Sequence, residues 1–212
     1  EIMADIIILG WPHKTGILDK MIGEKVDSIL NNTVKTTFIC HLEKPLALHK
    51  RILIAAPPLA ERENGFVLWF LKISRLAQEL SVPILLYCNT STEKAVRRII
   101  EISKLSARIS IDFFEDWDDF LVLSRNYQED DLFVLVSARK GSASYISLFE
   151  NLPHKLEKHF MAYSKLIIYP QQFDKDQKSE QYNDITAEPL NKGIETVIKI
   201  SKGIGSIFKK SE

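Results

Sequence analysis

The sequence predicts an α/β protein with an open, mostly parallel sheet and helices on both faces. Short runs rich in β-branched residues alternate with longer segments in which apolar residues recur at helical spacing, the pattern of parallel strands joined by crossover helices. The predicted strands are almost continuously apolar, which indicates that both of their faces are covered. A chain of 212 residues with 45% hydrophobic residues suffices for one large domain, or for a domain and part of another.

Seven strands are predicted, with amphipathic helices between them. The strands cover residues 5–10, 36–41, 51–56, 83–88, 108–114, 132–137 and 165–169. The first long helix is indicated by an apolar stripe at helical spacing, which consists of Phe66, Phe70, Ile73, Ala77 and Leu80. Polar segments predict three more helix starts, a capping box at 90–93, an acidic start at 116–119 and a further start at 147–150.

An internal repeat relates the two ends of the predicted sheet. The sequence DIIIL at 5–9 parallels DLFVL at 131–135, and each stretch continues into a helical pattern and then a short strand. The separation is the size of a domain, not of a solenoid repeat. The chain is therefore interpreted as one complete five-stranded unit preceded by the last β-α-β part of a sister unit, and it is expected to be a piece of a longer polypeptide. Two ordinary β-α-β units of chance likeness are the alternative.

This interpretation divides the chain into four parts. Residues 1–46 form the β-α-β part of the first unit, 47–172 the complete unit and 173–189 a charged linker. Residues 190–212 carry five lysines against two glutamates, with aliphatic residues roughly on one side. Such a segment is either a basic amphipathic helix that contacts an anionic membrane surface or a frayed tail, because three glycines weaken the helix.

Composition and motifs exclude several functions. Lys and Arg together balance Asp and Glu at 28 each, which argues against a dedicated nucleic-acid partner. No apolar run approaches the roughly 20 residues of a membrane span. The chain lacks the usual nucleophile, zinc and phosphate-loop motifs, so neither a catalytic residue nor a metal site is expected. Cys40 and Cys88 are expected to be buried, reduced thiols.

The position best suited to a ligand is the crevice where the strand order of such a sheet reverses. The first and fourth strands of the complete unit are expected to be neighbours there. Small residues, hydroxyls and two cations follow these strands and could bind an anion with backbone N–H groups; they are Ala56, Ser137, Arg139, Lys140, Gly141 and Ser142. A tight strand-to-helix turn with a solvated Arg-Lys pair is the alternative.

The five-stranded unit and its repeat resemble the universal stress protein fold, a Rossmann-type sheet. Nucleotide-binding members carry Gly-x2-Gly-x9-Gly-Ser/Thr after the fourth strand. Here Gly10 and Gly23 keep that spacing, whereas His13 and Glu24 replace the other two positions. Gly10, His13, Lys14 and Gly23 form the candidate ligand site of the first unit. Because the pattern is incomplete in both units, no cofactor is expected, and a nucleotide stays the alternative ligand.

A closer resemblance is to the cytosolic tail of bacterial cation:proton (Na+/H+) antiporters, which contains two such domains. It rests on residues 7–14, 52–58, 115–120 and, above all, VSARKGSASY at 136–145 with FENLP at 149–153. The resemblance implies a cytosolic regulatory or dimerisation domain of an integral protein of the inner or plasma membrane. It is implied to be neither an enzyme nor ion-translocating. A nucleotide-sensing module and the similar tail of a cation–chloride cotransporter are the alternatives.

The resemblance also implies partners. The transmembrane domain of the parent transporter is one of them. Universal stress domains commonly dimerise along their fifth strands, so residues 36–41 and 165–169 are expected to pair two units edge to edge, within one tail or between the chains of a homodimer. Such pairing also protects an exposed strand edge.

Overall fold

The computed structural model describes residues 6–10, 28–152, 156, 160 and 163–172. These residues form an α/β structure with one mostly parallel, seven-stranded sheet. All seven predicted strands are present, and each described end lies within one residue of its predicted position. The strands are β1 (Ile6–Gly10), β2 (Thr36–His41), β3 (Arg51–Ala55), β4 (Ile84–Cys88), β5 (Ile109–Phe113), β6 (Asp131–Val136) and β7 (Lys165–Tyr169).

The order of strands across the sheet is β1-β2-β7-β6-β3-β4-β5. Every neighbouring pair is parallel except β2 and β7. The last five strands follow the order 3-2-1-4-5 of a doubly wound sheet, in which the direction of winding reverses between the first strand, β3, and the fourth, β6. The predicted neighbourhood of these two strands is therefore confirmed, with Arg51 opposite Asp131 and Ala55 opposite Leu135.

Two long helices connect β3 to β4 and β4 to β5. Helix α1 (Phe66–Leu80) buries its predicted stripe, with Leu80 only partly covered. Helix α2 (Thr90–Ser103) begins with the Asn89 side chain, which accepts a hydrogen bond from the backbone N–H of Thr92 at 2.9 Å. The predicted capping box was thus placed one residue late, because Asn89 is as good a cap as the threonine that follows it. Residues Trp117–Asn126 and Ser147–Asn151 form 3-10 helices at the other predicted helix starts.

The sheet has a hydrophobic core on each face, as its continuously apolar strands predict. One core lies under α1 and α2 and includes Trp69, Phe70 and Val134, all fully buried. The other packs the opposite face against residues of the 3-10 segments, among them Trp117 and Phe149. Both cysteines are free; Cys88 is buried as predicted, whereas Cys40 is only partly buried. Burial raises the pKa of the Cys88 thiol to about 12, so this thiol stays protonated at neutral pH.

The antiparallel pair formed by β2 and β7, here called the seam, has a symmetric register. Its central pair is Ile39 opposite Ile167, and the pairs on either side are Thr37–Tyr169, Phe38–Ile168, Cys40–Leu166 and His41–Lys165. Each strand has a parallel partner on its far side, β1 for β2 and β6 for β7. A local twofold axis normal to the sheet between Ile39 and Ile167 therefore relates the β1–β2 pair to the β6–β7 pair.

Candidate functional site

The crevice at the reversal point is formed by the carboxyl ends of β3 and β6. Ala56 follows β3 and Ser137 follows β6, and both residues are fully buried. The backbone N–H of Ala56 donates to the carbonyl of Tyr87, and that of Ser137 donates to the carbonyl of Ile168. The two predicted residues therefore lie at the same end of neighbouring strands. Their backbone N–H groups, however, extend the hydrogen bonding of the sheet.

The loop after β6 makes a tight turn over Arg139–Ser142. The backbone N–H of Ser142 donates to the carbonyl of Arg139 at 3.0 Å, and Gly141 has a φ of +83°. A β-turn with a positive φ at its third position favours glycine there. The loop thus makes the tight turn of the alternative interpretation. The solvated Arg-Lys pair that this interpretation expected is wrong for Arg139, which is buried.

The two cations of the loop lie in different surroundings. The Arg139 side chain is mostly buried, and its guanidinium donates to the carbonyl of Pro170 at 2.5 Å, the carbonyl of Lys35 at 2.8 Å and the hydroxyl of Thr37 at 3.3 Å. Burial lowers its pKa from the ordinary value. The Lys140 side chain is 80% exposed, and its ammonium lies 4.0 Å from the Glu150 carboxylate. Arg139 therefore holds the chain on both sides of the seam, whereas Lys140 faces solvent.

A buried carboxylate fills the other side of the loop. One oxygen of Glu63 accepts hydrogen bonds from both the backbone N–H and the hydroxyl of Ser144, each at 2.8 Å. Donors of this kind are those that bind anions in phosphate-binding loops, and here a side chain of the same protein provides the anion. Glu63 is not among the residues that the sequence patterns indicated. The available signal was an acidic residue after β3, across the predicted crevice from a loop rich in hydroxyls.

The crevice loops continue directly into the seam. The Ser142 hydroxyl accepts from the Gln172 side chain at 2.9 Å, and the backbone N–H of Gln171 donates to the Thr36 hydroxyl at 3.0 Å. The backbone N–H of Gly65, just before α1, donates to the carbonyl of Gln171 at 3.2 Å. We call this set of contacts, together with those of Arg139, the crevice–seam junction. It joins the loops after β3, β6 and β7 to the start of β2.

The candidate residues of the first unit do not join this crevice. Gly10 is the last residue of β1. Because β2 and β7 are antiparallel, β1 and β2 run in the opposite direction to β3 and β6. Their carboxyl ends therefore lie at the opposite ends of the strands from the crevice. His13, Lys14 and Gly23 lie outside the residues that the structure describes. Arg139, Lys140, Gly141 and Ser142 are adjacent in one loop, so the predicted set forms one described crevice and one remote glycine.

Two further features bear on chemistry. In the part of the chain that the structure describes, no three His, Cys, Asp or Glu side chains are grouped so that they could hold a metal ion. Within the same residues, no helix is both long enough and apolar enough to cross a bilayer.

Comparison with known proteins adds no relative. None of the protein-family models matches the chain. A search of curated protein sequences gives no match either.

Proposed function

We propose that this chain is a non-catalytic regulatory and dimerisation domain of a membrane cation:proton antiporter, with a universal stress protein-like fold. The observation that carries the proposal is the seam. It joins β7, the fifth strand of the complete unit, to its repeat-related counterpart β2 by antiparallel pairing. This is the edge pairing that the resemblance implies for two such domains within one tail.

The seam has the features of a durable interface. Thr36, Thr37, Ile39 and Ile167 are each at most 1% exposed. Arg139 adds two buried hydrogen bonds and a partly buried one at one end of the seam. Buried hydrogen bonds to a charged donor are costly to break, because the acceptors would be left without partners. Such a connection suits a domain whose function is to hold two units in a fixed relation.

The crevice favours this function over ligand sensing. Several of its buried polar groups bind one another: Arg139 binds backbone carbonyls and Ser144 binds Glu63. The buried Ser137 hydroxyl has no hydrogen-bond partner among the described residues. An incoming phosphate would have to displace the Glu63 carboxylate and recover the energy of two hydrogen bonds. The exposed cation of the loop, Lys140, is the group still available to a ligand from solvent.

Calorimetry separates the assembly function from nucleotide sensing. The 212-residue chain is titrated with ATP, ADP, AMP and cyclic dinucleotides in physiological salt with magnesium, beside a Lys140→Ala variant. We expect no saturable heat with either protein. Saturable binding to the wild type that is lost in Lys140→Ala would instead identify a ligand-gated module and overturn the proposal.

The link to a transporter is tested first by the sequence of the whole reading frame and then by transport measurements in membrane vesicles. The reading frame that encodes this chain is expected to encode apolar segments of about 20 residues as well, and their arrangement distinguishes an antiporter from a cation–chloride cotransporter. Cation:proton exchange is then measured in membrane vesicles with the full-length protein and with one that lacks residues 1–212. A changed dependence on pH or cation concentration is expected. Unchanged exchange would remove the regulatory role.

Homodimerisation is a separate part of the proposal. In this structure β2 and β7 pair with each other within one chain, so a homodimer through the same strands requires that two chains exchange them. Sedimentation of the chain over a range of concentrations tests this prediction. A monomer at every concentration would restrict assembly to the pairing of units within the chain.

A further inference from the structure

Helices α1 and α2 cover one face of the sheet, and the charged side chains that they expose are mainly basic. Residues 66–104, which contain both helices, carry six lysines and arginines against three glutamates. Five of these cations are exposed, namely Arg75, Lys94, Arg97, Arg98 and Lys104. We call the exposed surface of the two helices that carries these five cations the basic face.

Three cations of the basic face have no counter-ion from the fold itself. Arg97 lies 2.7 Å from the Glu93 carboxylate of the same helix. Arg75, Lys94 and Lys104, by contrast, make no ion pair within the described part of the chain. Their charges therefore contribute little to the stability of the fold, and they are available to an external anionic partner.

The other face of the sheet carries the opposite charge. There the stretch 112–130 packs against the sheet through Trp117, and it carries seven acidic residues against one arginine. Among the acidic residues, Glu115 and Asp116 are exposed. The two faces of the complete unit therefore differ in charge, so an extended anionic surface would attract the basic face and repel the stretch 112–130.

An exposed apolar side chain lies among the cations. Ile102 is 41% exposed, and it follows Arg98 by four residues, which places both on the same side of α2. Cations beside an exposed aliphatic group suit the interface between lipid and water, where both can be satisfied. The aromatic residues Phe66, Trp69 and Phe70 of α1 are at most 1% exposed, so they cannot stack on nucleobases. The basic face therefore fits lipid headgroups better than a nucleic acid.

We propose that the basic face is a docking surface for the anionic headgroups of a lipid bilayer. The domain lies with α1 and α2 against the membrane and with the stretch 112–130 turned to the aqueous side. The choice of a bilayer rests on the proposed function, which places the chain beside a membrane. Attraction of this kind depends on the anionic lipid content and on the ionic strength, so it would make the position of the domain sensitive to both. The surface is separate from the predicted basic tail at 190–212, which lies outside the described residues.

Sedimentation with vesicles tests the proposal on the 212-residue chain. The vesicles contain phosphatidylcholine with phosphatidylserine, and vesicles of phosphatidylcholine alone are the neutral control. We expect saturable binding to the anionic vesicles that weakens at least about tenfold in Arg75→Glu/Lys94→Glu, because each cation near the surface adds to the attraction. Arg125→Glu/Lys140→Glu is the matched control, since it changes the net charge equally at exposed cations away from the basic face. Its affinity is expected to equal that of the wild type.

Orientation on the membrane provides the second readout. In bicelles that contain a lipid with a nitroxide headgroup, the backbone NMR signals of Lys94 and Ile102 are expected to broaden more than those of Glu115 and Asp116. Circular dichroism of each variant confirms that a loss of binding is not a loss of folding.

Any of five results would overturn the inference: no saturable binding to anionic vesicles, no loss in Arg75→Glu/Lys94→Glu, equal loss in both double variants, stronger broadening at Glu115, or tighter binding to a short DNA duplex than to the vesicles. None of them involves ion exchange, so a failure here leaves the test of the transporter link unaffected. Unchanged exchange in that test would likewise leave vesicle binding by the basic face intact.

Discussion

At the scale of single residues, neighbouring side chains of the same type have different roles. Arg139 and Lys140 are adjacent in the sequence, yet one is buried against three oxygen acceptors and the other is exposed. The direction in which the chain turns after β6 decides this difference. Arginine suits the buried position because its planar group donates in several directions at once.

Replacement of Arg139 by alanine is expected to reduce the free energy of unfolding by about 3 kcal/mol, because a buried carbonyl, a partly buried carbonyl and a buried hydroxyl lose their donor. Lys140→Ala, one residue away, is expected to change it by less than about 0.5 kcal/mol. Urea unfolding of both variants measures the difference. Equal effects would contradict the role assigned to Arg139.

A double-mutant cycle on Glu63 and Ser144 tests the internal anion of the crevice. Glu63→Ala is expected to destabilise the protein by about 2 kcal/mol, because the loop loses an acceptor for two donors. Ser144→Ala removes only the hydroxyl and should cost less. The cost of the double variant should be smaller than the sum of the two single costs. Additive costs would show that the two side chains do not interact.

The pH dependence of stability includes a contribution from Asp130. Hydrogen bonds from Lys44 and Lys50 lower the pKa of this carboxyl to about 2. A carboxyl whose folded pKa is depressed stabilises the fold above its unfolded pKa of about 3.9, and that contribution is lost as the pH falls towards 2. The pair is partly exposed, so the effect is small. Asp130→Asn should lower the urea midpoint near neutral pH but not at about pH 2; an equal loss at both would exclude this origin.

At the scale of elements, close approach of the loop before α1 to the end of β7 fixes the crevice–seam junction. A Cβ on Gly65 would clash with the backbone nitrogen of Gln171 and lie 2.9 Å from the Thr36 hydroxyl. Backbone cannot move aside as a side-chain end can. Only glycine therefore allows α1 to begin so near the seam.

Gly65→Ala is accordingly expected to destabilise the protein by about 1–3 kcal/mol, the usual cost of forced overpacking. Gly10→Ala is the matched control, because a Cβ on Gly10 would meet no atom within 4 Å. Thermal unfolding monitored by circular dichroism compares them. A midpoint for Gly65→Ala at or above that of Gly10→Ala would mean that the junction is looser than the contacts indicate.

At the scale of the whole molecule, the seam makes one sheet out of two related parts. Because the seam is antiparallel, the candidate ligand site after β1 and the crevice after β3 and β6 lie at opposite ends of the strands. A signal at one end would have to pass through the sheet or the crevice–seam junction to reach the other. The segment 190–212, predicted as a basic amphipathic tail, lies outside the described residues, and its role stays a prediction.

Deletion of residues 190–212 tests that role. If the five lysines bind an anionic surface, the deletion should weaken sedimentation with anionic liposomes, and added salt should weaken binding of the full chain. Neutral liposomes are the control. Binding that persists unchanged after the deletion would remove the membrane contact from the proposed function.

The sequence by itself determined the strands, the long helices and the neighbourhood of β3 and β6. These follow from apolar periodicity and from the few connections that an α/β chain can make, both of which are local or topological. The repeat also identified β1 and β2 as counterparts of β6 and β7, since DIIIL and DLFVL are legible without coordinates.

Only the tertiary structure decided how the crevice uses its polar groups. No local pattern could tell that Arg139 turns towards Pro170, or that Glu63 reaches Ser144, 81 positions further along the chain. Periodicity reports which face of an element is apolar, whereas a hydrogen bond between distant loops depends on where the packed sheet brings them. The exposure of Ile8 could not be predicted from the sequence for the same reason. Burial of a side chain on an edge strand depends on which element packs beside that strand.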